Sequence, residues 1–161
     1  MKDNRVLLGF SGGIDSFAAV GLLQAAGYHV TALTLDMRGD SALLEKARLR
    51  AGTLGIPWRM RSVRERFERG VVDYFTDSYF RGRTPAPCTR CNSRIKWPCL
   101  AAEADALGIR HIATGHYFCI TSAGGKRYVT RAADNRKDQS YYLWDLPQEI
   151  LDRVLTPMGT V

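Results

Sequence analysis

Residues 6–10 form a short apolar run that ends on a glycine-rich turn, Ser11-Gly12-Gly13. The turn leads straight into a helical pattern over 16–26, where Ala18, Leu22 and Ala25 share a face before Gly27 stops it. A second strand pattern, 28–35, follows at once. Strand, helix and strand joined by turns this short make a βαβ unit, which commits the two strands to parallel pairing through a right-handed crossover. The alternation continues. Asp40 or Ser41 caps a helix to about Leu54, closed by Gly55, and 56–60 predicts a third strand. Val63, Phe67, Val71, Tyr74, Phe75 and Tyr79 then repeat at helical spacing towards Arg81. Residues 82–87, with Pro85 and Pro87, read as a loop. A helix is expected over 92–107 and a fourth strand over 109–114. Beyond them, 117–121 and 126–131 flank Ala123-Gly124-Gly125 as a hairpin, and 138–146 and 147–155 predict two more helices. The expected fold is α/β: a three-layer sandwich around a mainly parallel sheet, with a small C-terminal hairpin and helices.

A sequence of 161 residues is expected to form one domain, 1–161. No apolar run approaches the roughly 20 residues that a membrane helix needs. Met1-Lys2-Asp3-Asn4 lacks the pattern of a signal peptide, so the expected address is cytoplasmic, with no membrane partner. Lys and Arg number 23 against 16 Asp and Glu, a net charge of +7. Arg59, Arg61, Arg64, Arg66 and Arg69 crowd one stretch, and Arg81, Arg83, Arg90, Arg94 and Lys96 follow. Arginine meets phosphate through a planar fork, so such density suits a polyanion. The competing reading is a solvated helix face, since Glu65 and Glu68 are interleaved. Of the four cysteines, only Cys88 and Cys91 are closely spaced, and a C-x-x-C pair in a cytosolic protein points to metal or redox chemistry. Cys99, on an apolar helix, and Cys119, in an alternating strand, read as structural.

Ligands of parallel sheets bind beyond the C-terminal ends of the strands. Residues 11–16, Asp36 and Met37, and Gly115 and His116 therefore carry the site. The first of these can be read in two ways. Gly9, Ser11 and Gly13 spell G-x-S-x-G, a nucleophile elbow with His116 as the base. Yet only ten residues precede Ser11, which leaves no upstream strand to supply an oxyanion-hole loop. The alternative is a phosphate cradle: two glycines let the backbone approach an anion, the helix N-terminus points its positive end there, and Ser11 and Ser16 add hydroxyls. No Lys-Ser/Thr pair follows, so the loop is not a Walker A motif. Asp15 beside a phosphate site needs a cation between them, and Mg²⁺ is the expected one.

Ser11-Gly12-Gly13-Ile14-Asp15-Ser16 resembles the PP-loop signature of ATP pyrophosphatases. Three further blocks narrow the resemblance. Residues 84–97, Thr84-Pro85-Ala86-Pro87-Cys88-Thr89-Arg90-Cys91-Asn92-Ser93-Arg94-Ile95-Lys96-Trp97, are similar to the T-P-N-P-x-x-x-C-N-x-x-I-K-F block of the tRNA-specific 2-thiouridylases. Ala113-Thr114-Gly115-His116-Tyr117 matches their A-T-G-H-Y, and Lys137-Asp138-Gln139-Ser140-Tyr141-Tyr142-Leu143 resembles their K-D-Q-S-Y-F-L. The resemblance spans essentially the whole sequence but only the N-terminal, ATP-binding catalytic domain of that family, whose members continue into central and C-terminal domains.

The resemblance implies an enzyme that adenylates the C2 oxygen of the wobble uridine in tRNA and replaces it with persulfide sulfur from a donor protein. ATP would be held by Gly9, Phe10, Ser11, Gly12, Gly13, Ile14, Asp15 and Ser16, with Leu35 beside the adenine, Gly115 admitting the nucleotide and Asp15 near Mg²⁺. Cys91 matches the first catalytic cysteine, with Cys88 at its side. Ala86, Pro87 and Cys88, and Lys137, Asp138 and Gln139, match tRNA-contacting segments. A position at the N-terminus of the 92–107 helix, beside Arg90, Arg94 and Lys96, predicts a lowered thiol pKa for Cys91. Ala86 departs from the family's Asn, and Cys88 stands where some members have Asp. The Cys88–Cys91 pair is a candidate for an iron–sulfur cluster or zinc with further ligands, or for a redox pair. The family's second, sulfur-carrying cysteine lies beyond residue 161, so ATP and tRNA binding and adenylation are expected of this chain. Three rival readings are another PP-loop tRNA sulfurtransferase with a metal cluster, a PP-loop small-molecule ligase, and a nucleic-acid-binding module without catalysis.

Overall fold

The structure is a computed structural model and describes residues 4–161; the N-terminal segment read above for its lack of a signal pattern lies, over 1–3, outside the described residues. Five parallel strands form one sheet: β1 (Arg5–Gly9), β2 (His29–Asp36), β3 (Trp58–Ser62), β4 (His111–Thr114) and β7 (Val154–Leu155). Their order across it is β3-β2-β1-β4-β7. A separate antiparallel hairpin pairs β5 (Cys119–Ala123) with β6 (Lys126–Thr130), as the Ala-Gly-Gly turn predicts.

The pleat sorts the core into two layers. Val6 and Leu8 of the first strand, and Phe10 just beyond it, face α1 (Ile14–Ala25) and α2 (Ser41–Thr53), meeting Ala19, Val20, Leu23, Ala47 and Ala51. Leu7, with Leu33, Ile112 and Val154, faces the opposite way against Trp97, Leu100 and Ala104 of α6 (Trp97–Ala106) and Ile150 and Leu151 of α7 (Gln148–Leu151). Asp40 is the cap of α2: its carboxylate accepts the Leu43 N–H at 2.9 Å. The expected three-layer α/β architecture is the one adopted.

Three stretches differ from expectation. Residues 64–80 are helical, as α3 (Arg64–Phe67), a π turn (Glu68–Val72) and α4 (Asp73–Phe80). The buried positions after the π turn begins are Val71 and Ser78, and the Ser78 hydroxyl bonds back to the Tyr74 carbonyl at 2.7 Å. Phe75, Tyr79 and Phe80 consequently face outwards. The second difference lies at the C-terminal end, where the helices expected over 138–146 and 147–155 do not form as such. Asp138 accepts the N–H groups of Ala132 and Ser140, which bends the backbone into a turn, and only Ser140–Tyr142 makes a short 3₁₀ segment. Pro147, in an extended conformation, starts α7, which lasts four residues before β7 extends the sheet beside β4.

The third difference bears on the site. The helix expected to begin at 92 begins at Pro87, as α5 (Pro87–Cys91), and runs through a second π turn (Asn92–Lys96) into α6. Proline at the first position suits a helix start, because its missing N–H would have had no partner there.

Candidate nucleotide and thiol site

A cavity of about 510 Å³ opens at the C-terminal ends of β1, β2 and β4. Gly9, Phe10, Ser11, Gly13, Asp15 and Ser16 line it from the first strand and turn, Leu35 and Asp36 from the second strand, and Gly115, His116, Gln139 and Lys96 from the far side. A hollow of about 520 Å³ at the other end of the sheet is lined by Arg5, Tyr28, His29 and Pro57. It holds none of the motif residues.

The turn between β1 and α1 leaves donors open that could meet an anion. Gly13 is the N-cap of α1, and no side-chain hydrogen bond closes that end. The first helical bond runs from Phe17 N–H to the Gly13 carbonyl at 3.0 Å, so the N–H groups of Ile14, Asp15 and Ser16 have no intrahelical acceptor. Ser11 Oγ accepts the Gly13 N–H and lies 3.2 Å from Ser16 Oγ, while Ser16, buried, donates to the Gly13 carbonyl at 3.0 Å. Ser16 thus shapes the loop, and Ser11 is the exposed hydroxyl. Gly12 adopts φ +69°, and a Cβ there would meet the Ala47 backbone at 2.8 Å, so the loop rests directly on α2. Arg50 of α2 donates to the Gly12 carbonyl from below. Gly12 and Ile14 are the two loop residues that do not line the cavity, and Ile14 points to solvent.

Asp36 holds the other wall. It is buried, accepts Gly39 N–H at 2.7 Å, and takes Arg64 Nε at 2.7 Å and Nη2 at 2.5 Å. The Arg64 hydrogen bond holds its carboxyl below the usual carboxylate range against the opposing effect of burial. Stability from a group with a lowered folded pKa is complete above the unfolded value of about 3.9 and is lost as pH falls through the folded one. Asp36→Asn is therefore expected to lower stability at pH 7 by about 1–3 kcal/mol, a charge-assisted bond's worth. It should also flatten the loss of stability below about pH 4, as read by denaturant melts across pH 3–7.

On the opposite wall, the helix 87–106 brings the thiols alongside. Cys88 is exposed in its first turn, and Cys91 sits one turn later, 9% exposed, packed with Val63, Val71 and Ile95. The sequence expectation of a helix-start thiol with a lowered pKa is corrected here. The helix begins four residues before Cys91, and burial pushes this thiol up, opposed chiefly by Lys96. Lys96 is brought there by the π turn, in which Trp97 N–H reaches the Asn92 carbonyl five residues back. Its ammonium lines the cavity and lies 3.4 Å from His116 Nε2. Burial and Lys96 push His116 down to about 3, so the ring is neutral. With Lys96 donating to Nε2, the proton sits on Nδ1 and is donated to Thr114 Oγ1 at 2.7 Å. Cys99 is buried, its sulfur accepting from Arg66 at 3.0 Å, and Cys119 donates to the Gly159 carbonyl at 3.3 Å. Among the described residues no group of three or more His, Cys, Asp or Glu is gathered to hold a metal, so Cys88 and Cys91 find no third ligand among them.

The 137–139 segment closes the site. Asp138 directs both oxygens inwards, to Ala132 N–H, Ser140 N–H and Ser140 Oγ, so it shapes the turn. Lys137 is exposed and Gln139 reaches the cavity. Ala86 and Cys88 are exposed and Pro87 half-buried, on the surface outside the cavity lining. Sequence reasoning placed Lys96 beside Cys91 but missed its place in the cavity against His116, and it missed the roles of Tyr117, Arg50 and the Asp36–Arg64 pair in holding the site. Lys96 and Tyr117 stand within the matched blocks, while Arg50 and Arg64 carry no local signal.

A family model described as the tRNA methyl transferase HUP domain matches residues 4–161. The protein belongs to this HUP-domain family. The domain is 47% identical to a tRNA-specific 2-thiouridylase of Phocaeicola vulgatus over 163 residues, covering 99% of this sequence and 46% of that protein. A Bacteroides fragilis 2-thiouridylase is 48% identical over 98% of this sequence and 44% of its own length. The domain thus spans a little under half the length of the curated relatives it matches. Among solved structures, an NH3-dependent NAD synthetase from Campylobacter jejuni superposes with TM-score 0.51 at 20% identity, over 73% of this protein and 49% of that one. A glutamine-dependent NAD+ synthetase from Acinetobacter baumannii, in complex with ADP, gives 0.52 at 21% identity, over 72% and 22%. At these identities the structural matches establish the fold of the HUP domain, and it is the α/β fold expected.

Proposed function

We propose that this HUP domain binds ATP and tRNA and activates the wobble uridine for 2-thiolation, as the N-terminal catalytic part, 1–161, of a cytoplasmic tRNA-modifying enzyme. One observation carries the reading: Lys96 lines the cavity headed by the uncapped α1 terminus and at the same time neighbours the Cys91 thiol, so nucleotide and thiol chemistry meet at one cation. The names of the relatives supply the substrate class, tRNA uridine.

The free N–H groups of 14–16 and the Ser11 hydroxyl would hold the phosphates, with Leu35 against the base and Gly115 leaving room for the nucleotide. Mg²⁺ bound at Asp15 would supply the charge that lets a carboxylate and a triphosphate share one loop. Uridine O2 attacks the α-phosphate and pyrophosphate leaves. The outer sulfur of a donor-protein persulfide then adds at C2, and AMP departs with the oxygen; a thiol, here Cys91, attacks the inner sulfur, which breaks the S–S bond, leaves the outer sulfur on C2 and joins Cys91 to the donor as a disulfide. Neutral His116 and Lys96 face the position of that charge transfer. Cys91 is the cysteine beside the activated base. Lys137 and the rim of Ala86, Pro87 and Cys88 face the tRNA. A metal-cluster variant of this chemistry finds two cysteine ligands here, and a further one would have to come from elsewhere.

The test is pyrophosphate exchange into ATP. The domain is expected to catalyse exchange when a tRNA with uridine at the wobble position is present and to be silent with ATP alone. tRNA binding should weaken steeply with salt. Exchange that proceeds without tRNA would favour a small-molecule ligase. tRNA binding without any exchange would leave a binding module.

A further inference from the structure

Tyr117 stands where the two proposed substrate sites touch. Its side chain is 5% exposed. Its hydroxyl donates to Asp15 Oδ1 at 2.8 Å and accepts from Lys137 Nζ at 3.2 Å. The same ammonium lies 4.8 Å from the centre of the Tyr117 ring. The backbone is engaged as well: Gln139 N–H donates to the Tyr117 carbonyl at 2.8 Å, and Tyr117 N–H donates to Gln139 Oε1 at 3.1 Å. One residue therefore grips the acid of the nucleotide loop with its hydroxyl and the 137–139 segment with its ring and backbone.

We propose that Tyr117 is a positioning residue that couples the binding of ATP to the binding of tRNA, through the relay Lys137–Tyr117–Asp15. The inference rests on the function proposed above, in which Lys137 meets tRNA and Asp15 meets the metal of the nucleotide. An ammonium that donates to a phenol oxygen polarises its O–H and strengthens the bond that the O–H makes in turn. Lys137 is exposed, so a tRNA phosphate can draw its ammonium away from the phenol. The hydroxyl then holds Asp15 less firmly, and the carboxylate oxygen is released to a cation. tRNA thereby tightens ATP, and by thermodynamic linkage ATP tightens tRNA by the same factor.

Tyr117→Phe removes both hydroxyl bonds and keeps the ring and the two backbone bonds. The measurement is a binding box: the Kd of Mg²⁺-α,β-methylene-ATP with and without saturating bulk tRNA, for the wild-type protein and the variant. The wild type is expected to bind the analogue at least about fivefold more tightly with tRNA, within the usual range of coupling between sites. In Tyr117→Phe the ratio should fall to about one while the melting temperature stays near that of the wild type. Lys137→Gln leaves Tyr117 intact and is expected to remove the same coupling, a ratio that does not depend on how strongly each variant binds tRNA by itself. Coupling of wild-type size in either variant overturns the inference. So does a wild type that binds both ligands independently, an outcome that leaves the proposed function standing. A wild type that binds no tRNA overturns the proposed function and the coupling with it.

Discussion

Gly115→Ala is expected to weaken ATP binding at least tenfold while leaving a folded protein. A Cβ at this position would lie 2.8 Å from Ser16 N, 2.9 Å from Ser16 Cα and 3.0 Å from the Asp15 carbonyl carbon. All three are backbone atoms of the first turn of α1, so there is no flexible group to swing aside. The backbone dihedrals at Gly115 permit alanine, and the obstruction is purely one of space. To admit a methyl group the helix start must move off the end of β4, taking with it the free N–H groups and Asp15. Overpacking of this kind costs about 1–3 kcal/mol, and displacing the donors should raise the Kd for ATP at least tenfold, about 1.4 kcal/mol or more. Gly21→Ala on the same helix is the matched comparison, since a Cβ there meets nothing within 4 Å. It is expected to raise helix stability by about 0.5–1 kcal/mol with nucleotide affinity unchanged, as read by calorimetric titration of both variants.

Lys96→Met will slow alkylation of Cys91. Burial raises this thiol, and Lys96 is the chief influence opposing it. Without that cation burial acts on the thiol with less to oppose it, so the thiolate fraction near neutral pH falls. Iodoacetamide labelling followed by peptide mass spectrometry is expected to show Cys91 labelled more slowly than in the wild type, while Cys119, which is held by the Gly159 carbonyl, keeps its rate. Lys96→Arg should restore most of the reactivity, because the charge remains. Unchanged labelling of Cys91 in Lys96→Met would show that the ammonium does not act on the sulfur.

Much of this architecture is legible in the sequence because local signals and the fold agree. β1, its glycine turn and α1 are read at nearly their true bounds, and so are β2, α2 and the hairpin. β7 escaped because two residues carry no periodicity, and it owes its place to the open edge of β4. The two π turns escaped because an extra residue in one turn leaves no compositional mark. One of them sets which face of 64–80 is buried, and the other decides that Cys91 is a mid-helix thiol beside Lys96. The glycine turn between β1 and α1 was legible because glycines and serines mark a strand-to-helix turn, and the structure gives it a helix start with no side-chain cap. The Asp36–Arg64 clamp joins residues 28 positions apart, and the Tyr117–Asp15 bond joins residues 102 apart, which no local pattern reports.

The outer strand β3 gives part of the positive charge a different use. Arg59 and Arg61 alternate along it and both reach Glu103 of α6, at 3.7 Å and 3.1 Å, while remaining about half or more exposed. An edge strand offers unpaired N–H and carbonyl groups to any second copy of itself, and arginines along that edge repel such a copy. These two residues therefore place charge on the outermost strand, where it disfavours edge-to-edge pairing with a second copy.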